Sequence, residues 1–409
     1  MLNICAFGVP AASSFQTPSV LWSVINLFLL GLLSAGNTAI WVTYVNWTHS
    51  FPWRHSTLQR LRSVHDFFVV VVPVVQFFWL GVAGPGLLFG GSWDDLNPWM
   101  WGLVAFCSIG LVKLFIQTVR HQLRKSPATM VVTDSRVEEI AHRTDSPLVS
   151  EGKYQRLARL PGNEQLCVEF NEKTFYLDGL PGQLEGLTIL HISDWHFLGT
   201  ISKAFFVEVS EIIANDSADL VCFTGDLIDN QSLTDWIPDT LGKLNGRLGN
   251  YFILGNHDWY QEPKSIRKAM TDLDWIDVSS RTMTLDVDGN ALEIGGDETP
   301  WMGEEPMFTS TADFKLLLAH TPDRFSAAKK QRVNLVLSGH NHGGQVQLPA
   351  IGPLYSPSRH DTKYASGLFH ESPSMMHVSR GLSGRHPLRF RCLPEVTRIT
   401  LRSESPPKS

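Results

Sequence analysis

Apolar residues are spread unevenly along this chain. Three long apolar stretches come first, about Val20 to Tyr44, Phe67 to Phe89 and Trp99 to Val119. Each is long enough to cross a hydrocarbon core of roughly 30 Å as a helix. Pro73 and the Gly81–Gly86 stretch predict a kink in the second, which membrane helices tolerate. Lys113 interrupts the third near its end, where a lysine can snorkel. Trp93, Trp99 and Trp101 stand where an aromatic belt would lie. A cleaved signal peptide is disfavoured because no basic residue precedes the first stretch. Burial in a soluble helical domain is the other alternative. Residues 1–124 therefore read as a membrane region with three transmembrane helices.

From about Lys125 to Leu160 the pattern turns polar, with Ser, Thr, Pro and mixed charge, and reads as a linker. Residues 161–409 then read as a soluble domain. Strand-like runs Leu166–Phe170 and Thr174–Leu177 open it. Short apolar runs then alternate with helical stretches: strand Leu187–Ile192, helix Lys203–Ala214, strand Leu220–Thr224, helix Asp235–Leu244 and strand Tyr251–Leu254. Later runs are strands with fewer helices: Thr282–Val287, Ala291–Ile294, Phe314–Leu318, Val333–Leu337, Gln345–Leu348 and Val396–Leu401. The expected fold class is α/β, a layered β-sandwich flanked by helices, preceded by the helical membrane region.

Charge orients this plan. Arg54, Arg60 and Arg62 lie between the first two stretches, Asp94 and Asp95 between the second and third, and Arg120, Arg124 and Lys125 follow the third. The positive-inside rule then places the N-terminus outside and the soluble domain in the cytoplasm, a multi-pass membrane protein. A formal net charge of -6 argues against a nucleic-acid partner. The cysteines, Cys5, Cys107, Cys167, Cys222 and Cys392, are scattered and form no C-x-x-C pair. They suit a reducing compartment and offer no thiolate metal site. Cys5 is open to acylation, though nothing in the sequence requires it.

The chemistry sits just after the strands. Leu187–Ile192 is followed by S-D-W-H, with Asp194 and His196; Leu220–Thr224 by G-D-L-I-D, with Asp226 and Asp229. Tyr251–Leu254 is followed by G-N-H-D, with Asn256, His257 and Asp258; Phe314–Leu318 by A-H, with His320; Val333–Leu337 by S-G-H-N-H-G-G, with His340 and His342. Groups at the carboxyl ends of strands converge on one crevice in α/β folds. Carboxylate and imidazole donors without thiolate favour Mn, Fe or Zn. Each motif alone is weak; all five in this order, each behind a strand, form a specific signal.

The order D-x-H, G-D-x-x-D, G-N-H-D, H, G-H-x-H resembles the calcineurin-like metallophosphoesterases, over about Leu187 to Leu401. The strings I-L-H-I-S-D-W-H, T-G-D-L-I-D, L-L-A-H-T-P-D and L-S-G-H-N-H-G-G-Q, with the carboxyl-terminal V-S-R-G-L and P-L-R-F-R-C-L-P-E-V, are similar to a bacterial membrane-associated branch. That branch includes UDP-2,3-diacylglucosamine hydrolases. Trp195 stands where the branch usually has Leu.

The resemblance implies a metal-dependent phosphoric ester hydrolase with two divalent metal ions, Mn first, Fe or Zn as alternatives. It implies that Asp194, His196 and His342 bind one ion, that Asn256, His320 and His340 bind the other, and that Asp226 bridges both. His257 would face the substrate and protonate the leaving oxygen, held by Asp229. Asp258 either joins that work or closes its loop. Trp259 and Tyr260 either line the cleft or pack. Arg380, Arg385 and Arg389 are candidates to meet phosphate or a lipid surface. His191 is expected to pack within its strand, and His360, His370, His377 and His386 to be surface or structural.

The expected function is a membrane-anchored phosphoesterase that hydrolyses a phosphoester or pyrophosphate bond, with a lipid-linked substrate such as UDP-2,3-diacylglucosamine. The alternatives are a broad-specificity phosphodiesterase or phosphatase, and a metal-binding membrane scaffold without turnover. The partners expected are the phosphate-containing substrate and the membrane.

Overall fold

The structure, a computed structural model, describes residues 20–403 except Lys153 and Ser217; Cys5 lies outside the described residues. The chain divides into two compact units, Met1–Trp41 with Ser63–Ile116, and Val42–Arg62 with Gln117–Ser409.

The first unit is built on helices α1 (Val20–His49), α2 (His55–Gln76) and α3 (Pro98–Leu123). With α2 continued to Ala83, all three are long and apolar enough to cross a membrane. The second begins earlier than the apolar pattern predicts, because His55–Asp66 is polar and carries no hydrophobic signal. The kink expected near Pro73 and Gly81 takes the form of a π-helical stretch, Phe77–Ala83. Large apolar side chains such as Phe28, Phe78 and Phe115 are exposed. Buried amides are satisfied by backbone, as a low-dielectric surrounding demands: Gln76 Nε2 donates to Leu30 O (2.8 Å) and Asn26 Nδ2 to Leu87 O (2.7 Å). Helices α1 and α3 touch through Gly36 and Gly110. A Cβ on Gly110 would fall 1.9 Å from Gly36 O, so only small residues allow this approach.

The second unit contains strands β1 (Met130–Glu139), β2 (Cys167–Tyr176), β3 (Thr188–Ile192), β4 (Leu220–Thr224), β5 (Asn250–Ile253), β6 (Trp275–Asp277), β7 (Thr282–Val287) and β8 (Asn290–Asp297). They continue as β9 (Phe314–Ala319), β10 (Leu335–Ser338), β11 (Gln347–Leu348), β12 (Gly352–Pro353), β13 (Gly367–Glu371), β14 (Ser374–Val378) and β15 (Glu395–Arg402). Helices α4 (Gln155–Ala158), α5 (Lys203–Ala214), α6 (Asn256–Trp259), α7 (Pro263–Thr271) and α8 (Phe325–Lys330) complete it.

Two sheets form, in the orders β1-β2-β15-β3-β4-β5-β6 and β13-β14-β10-β9-β8-β7. Period-two alternation builds the layers. In β4, Leu220 and Cys222 point into the core between the sheets, where they meet Leu316 and Leu318 of β9. Val221 and Phe223 point the other way and pack with Phe205, Phe206 and Val209 of α5. On the far face of the second sheet, Leu317 and Val336 meet Phe325 and Ala328 of α8. The fold is a mixed α/β sandwich flanked by helices. Strands β3 to β6 run parallel, as do β8 to β10, so their carboxyl ends open toward the same kind of edge.

Several local expectations are replaced. The stretch read as linker carries β1, which pairs with β2 at the sheet edge. Its side chains are almost all exposed, so no hydrophobic alternation announces it. The helix expected over Asp235–Leu244 breaks into 3-10 turns, Gln231–Trp236 and Leu241–Lys243. Pro238 lies between them and cannot donate the helical hydrogen bond. The strand expected from Gln345 shortens to Gln347–Leu348, because Gln345 takes a left-handed φ of 53°. Of the two readings for His377, surface or structural, the structural one holds: it is fully buried in β14. It crosses the inter-sheet core to His191 (Nδ1 to Nδ1, 2.8 Å) and Lys173 (3.1 Å), and His191 reaches Thr224 Oγ1 (3.1 Å).

Leu318 is fully buried between the sheets, two residues ahead of His320. Leu318→Ala should cost about 2–5 kcal/mol, measured as a lowered denaturant midpoint of the purified protein.

Candidate metal centre

The turns after five strand ends converge. Asp194 and His196 follow β3, Asp226 and Asp229 follow β4, Asn256 and His257 open α6 after β5, His320 follows β9, and His340 and His342 follow β10. Their backbones are unusual. Asp194, His196, Asp226, His340 and His342 all have φ between 50° and 69°, the left-handed region that side chains with a Cβ rarely adopt. Glycines let these turns close on one another. A Cβ on Gly255 would lie 2.2 Å from Asp226 Oδ1, and one on Gly339 would lie 2.3 Å from Asp194 Oδ2.

Two donor groups result, and Asp226 belongs to both. Ligand atoms of Asp194, His196, Asp226 and His342 lie within 4.8 Å of one another, and so do those of Asp226, His320 and His340. Asp226 Oδ2 is 3.5 Å from His196 Nε2, while Oδ1 is 3.4 Å from His320 Nε2. In the first group, His196 Nε2 and His342 Nε2 are 3.2 Å apart, and Asp194 Oδ1 is 3.6 Å from His342 Nε2. In the second, His320 Nε2 is 3.0 Å from Asn256 Oδ1 and 3.2 Å from His340 Nδ1.

The tautomers fit cations. His320 Nδ1 donates to Thr224 O (2.8 Å), His340 Nε2 donates to Pro357 O (2.8 Å), and His196 Nδ1 donates to Asp229 Oδ2 (3.0 Å). Each ring therefore turns its other nitrogen inward. That outer-atom anchoring is how proteins orient imidazole ligands. Asp226 Oδ2 is buried and accepts no hydrogen bond from a described residue. An orphaned carboxylate oxygen among inward-facing ring nitrogens is the donor set a divalent cation completes.

Electrostatics agree. Burial raises Asp194, as does the neighbouring Asp226. Burial opposes ionisation of Asp226 too, but the facing His320 and His257 hold it well below the usual carboxylate range. His320 is pushed up to about 9: burial works against its charge, and Asp226 outweighs burial. A cation taking this place must displace that proton.

His257 stands beside the two groups, with its ring 4.6 Å from that of His196 and edge-on to it. Its Nδ1 is hydrogen-bonded to Asp229 Oδ1, and its backbone N–H donates to Asp226 Oδ1 (2.8 Å). Asp229 thus holds His257 through one oxygen and His196 through the other; the second contact was not foreseen. Burial lowers the His257 imidazole, but Asp229 and then Asp226 outweigh it and raise it to about 9. Asp258 turns away from the centre. It is buried and accepts from Leu227, Ile228 and Gly255 N–H (3.0, 2.9 and 2.8 Å), closing its loop.

The three candidate arginines separate. Arg380 pairs with Glu169 and Glu395. Arg389 is fully buried and braces the carbonyls of His342 (3.0 Å) and Arg380 (2.8 Å) from behind. Arg385 alone of the three contacts neither a carboxylate nor a carbonyl among the described hydrogen bonds; its charge reaches His257. Trp195 fills the core, stacked on Phe206 at 5.9 Å. Sequence reasoning missed Trp301, whose ring lies 4.9 Å from that of His340, and the carbonyls of Thr224 and Pro357. No motif marks a backbone carbonyl.

Residues 187–344 match the family described as calcineurin-like phosphoesterase. YkuE of Bacillus subtilis, an uncharacterized metallophosphoesterase, is 33% identical over 259 residues, covering 59% of this chain and 87% of that protein. Phosphodiesterase YaeI of Escherichia coli is 26% identical over 220 residues, covering 52% and 81%. UDP-2,3-diacylglucosamine pyrophosphatase LpxG of Chlamydia muridarum is 24% identical over 277 residues, covering 52% and 83%. The chain belongs to the calcineurin-like metallophosphoesterases, a family of metal-dependent phosphoester hydrolases.

The His257–Asp229 pair has a pH signature in metal-free protein. His257 titrates above the ordinary 6.5, so the pair's contribution to stability is full below about 6.5 and is lost as pH rises through about 9. The melting-temperature gap between wild type and His257→Gln should therefore narrow over that interval, read by a thermal melt in chelator.

Proposed function

We propose that this protein is a membrane-anchored phosphoesterase that holds two divalent cations and cleaves a pyrophosphate or phosphodiester bond of a lipid-linked substrate. One observation carries the reading: the two oxygens of Asp226 face two separate donor groups. Asp194, His196 and His342 would hold one cation, and Asn256, His320 and His340 the other, with Asp226 shared. Oxygen and imidazole donors suit Mn, with Fe or Zn as alternatives. Such a pair, when bound, supplies hydroxide near neutral pH and neutralises phosphoryl charge.

The remaining work falls to this chain's own side chains. Asp229 fixes His257 through Nδ1, which leaves Nε2 to give its proton to the leaving oxygen. The same carboxylate keeps that ring charged before the bond breaks. Asp229 also orients His196, so the acid and the ligand set are held by one residue.

Three helices fit for a membrane, with Arg54, Arg60 and Arg62 between the first two apolar stretches, support a multi-pass protein with its sandwich in the cytoplasm. The pyrophosphatase named among its relatives acts on UDP-2,3-diacylglucosamine, which makes that lipid the first substrate to try.

Purified full-length protein with Mn²⁺ should bind two metals per chain by elemental analysis and hydrolyse UDP-2,3-diacylglucosamine to UMP and the acylated sugar phosphate. Hydrolysis of aryl phosphates alone would remove the lipid reading and leave a broad phosphodiesterase. Asp226→Asn should lose metal and turnover together. His257→Ala should keep its metal while kcat falls roughly 10²- to 10⁴-fold; unchanged turnover would remove the role given to His257.

A further inference from the structure

The segment Val42–Arg62, which takes in the end of α1, the connection and the start of α2, belongs to the same compact unit as the sandwich. Buried Asn46 fixes its start. Asn46 Nδ2 donates to Asp361 Oδ1 (2.6 Å) and Leu354 O (3.1 Å), and Asn46 Oδ1 accepts from Ser356 N–H (2.9 Å). The next residue, Pro357, supplies the carbonyl that orients His340. Further along, the Arg359 guanidinium lies 4.7 Å above the Phe51 ring.

The far end of the segment reaches the His257 side of the centre. Tyr260, three residues beyond His257, donates its hydroxyl to Trp53 O (2.9 Å). The His55 ring meets Tyr260 edge-on at 5.5 Å, and Arg385 Nη1 donates to His55 Nε2 (3.0 Å). Because guanidinium only donates, His55 is neutral at that nitrogen. Arg385, whose charge reaches His257, is thus tethered to an imidazole rather than neutralised by a carboxylate among the described hydrogen bonds. Ordinary structural arginines of this fold, Arg380 and Arg389, are satisfied by carboxylates or carbonyls instead.

We propose that Arg385, positioned by His55, forms a second anion subsite that binds a phosphate carried on the leaving group. The inference rests on the phosphoesterase reading and deepens it. On that reading His257 gives its proton to the departing oxygen, so the leaving group passes the ring that the Arg385 charge reaches. Trp53 and His55 meet Tyr260 and Arg385 there. A leaving group that carries a phosphate supplies the anion for Arg385. Arginine suits this work because its planar fork binds phosphate oxygens in pairs.

The test uses full-length Mn²⁺-loaded protein in detergent and three probes: bis(4-nitrophenyl) phosphate, whose leaving group carries no phosphate, UDP-glucose, and UDP-2,3-diacylglucosamine. Arg385→Ala should lower kcat/KM for the diphosphate substrates by roughly 10- to 100-fold more than for the aryl diester. Arg385→Lys should recover part of that difference, and His55→Ala should give a smaller loss with the same substrate preference. A change in His257 acidity would affect all probes alike, so the contrast between substrates isolates the subsite. Metal content and melting temperature of each variant confirm that it is folded. Equal losses on every probe, or wild-type enzyme that cleaves the aryl diester but neither diphosphate, would overturn the subsite while sparing the phosphoesterase. Wild-type enzyme that cleaves none of the three would overturn the phosphoesterase reading itself. Loss with the lipid diphosphate but not UDP-glucose would still support the subsite and assign it to the lipid headgroup.

Discussion

The site depends on one buried carboxylate. Asp226 is 1% exposed, and taking an ionised carboxylate out of water costs several kcal/mol unless positive charge surrounds it. Imidazoles face it on both sides, and one of its oxygens has no hydrogen-bond donor among the described residues. The surroundings follow from that constraint. Turns after parallel strands bend into the left-handed region to aim side chains at Asp226, and glycines stand where any Cβ would strike it or its neighbours. The sandwich supplies the rigid strand ends against which such strain is held.

A second carboxylate divides the labour. Asp229 spends one oxygen on His196 and the other on His257. His196 turns its free nitrogen toward Asp226, while His257 stays beside the cluster with its charge favoured. Displacing Asp229 would therefore free both rings together. Asp258, one residue from His257, does neither: it ties three backbone N–H groups of the two crossing turns. Two acidic residues in neighbouring motifs thus differ wholly in use, and only contacts separate them.

That contrast bounds what was legible in the sequence. Strand ends followed by Asp, Asn, His and Gly announced the donor set, because strand and turn chemistry are local. The polar edge strand Met130–Glu139 was hidden, since pairing on one side leaves its side chains in water and erases alternation. Pro238 broke a helix whose apolar spacing otherwise looked sound. The carbonyls of Thr224 and Pro357, which fix two ring tautomers, bear no side-chain signature. His191 and His377 meet across the sandwich from strands far apart in the chain, and no local pattern distinguishes such a pair from isolated core histidines.

The contacts of Val42–Arg62 tie this segment to the loops that carry the site. A flexible tether would leave the sandwich indifferent to the helices before it, and its sequence would be free to drift. Here the connection is fastened at Asn46 to the loop that orients His340, and at Trp53 and His55 to the residues beside His257. Both the donor set and the loop that carries His257 thus lean on a segment that ends about seventy residues before β1. Replacing the first helices by an unrelated anchor would keep the sandwich core but remove two supports of its site. The connection is therefore part of the unit that carries the site.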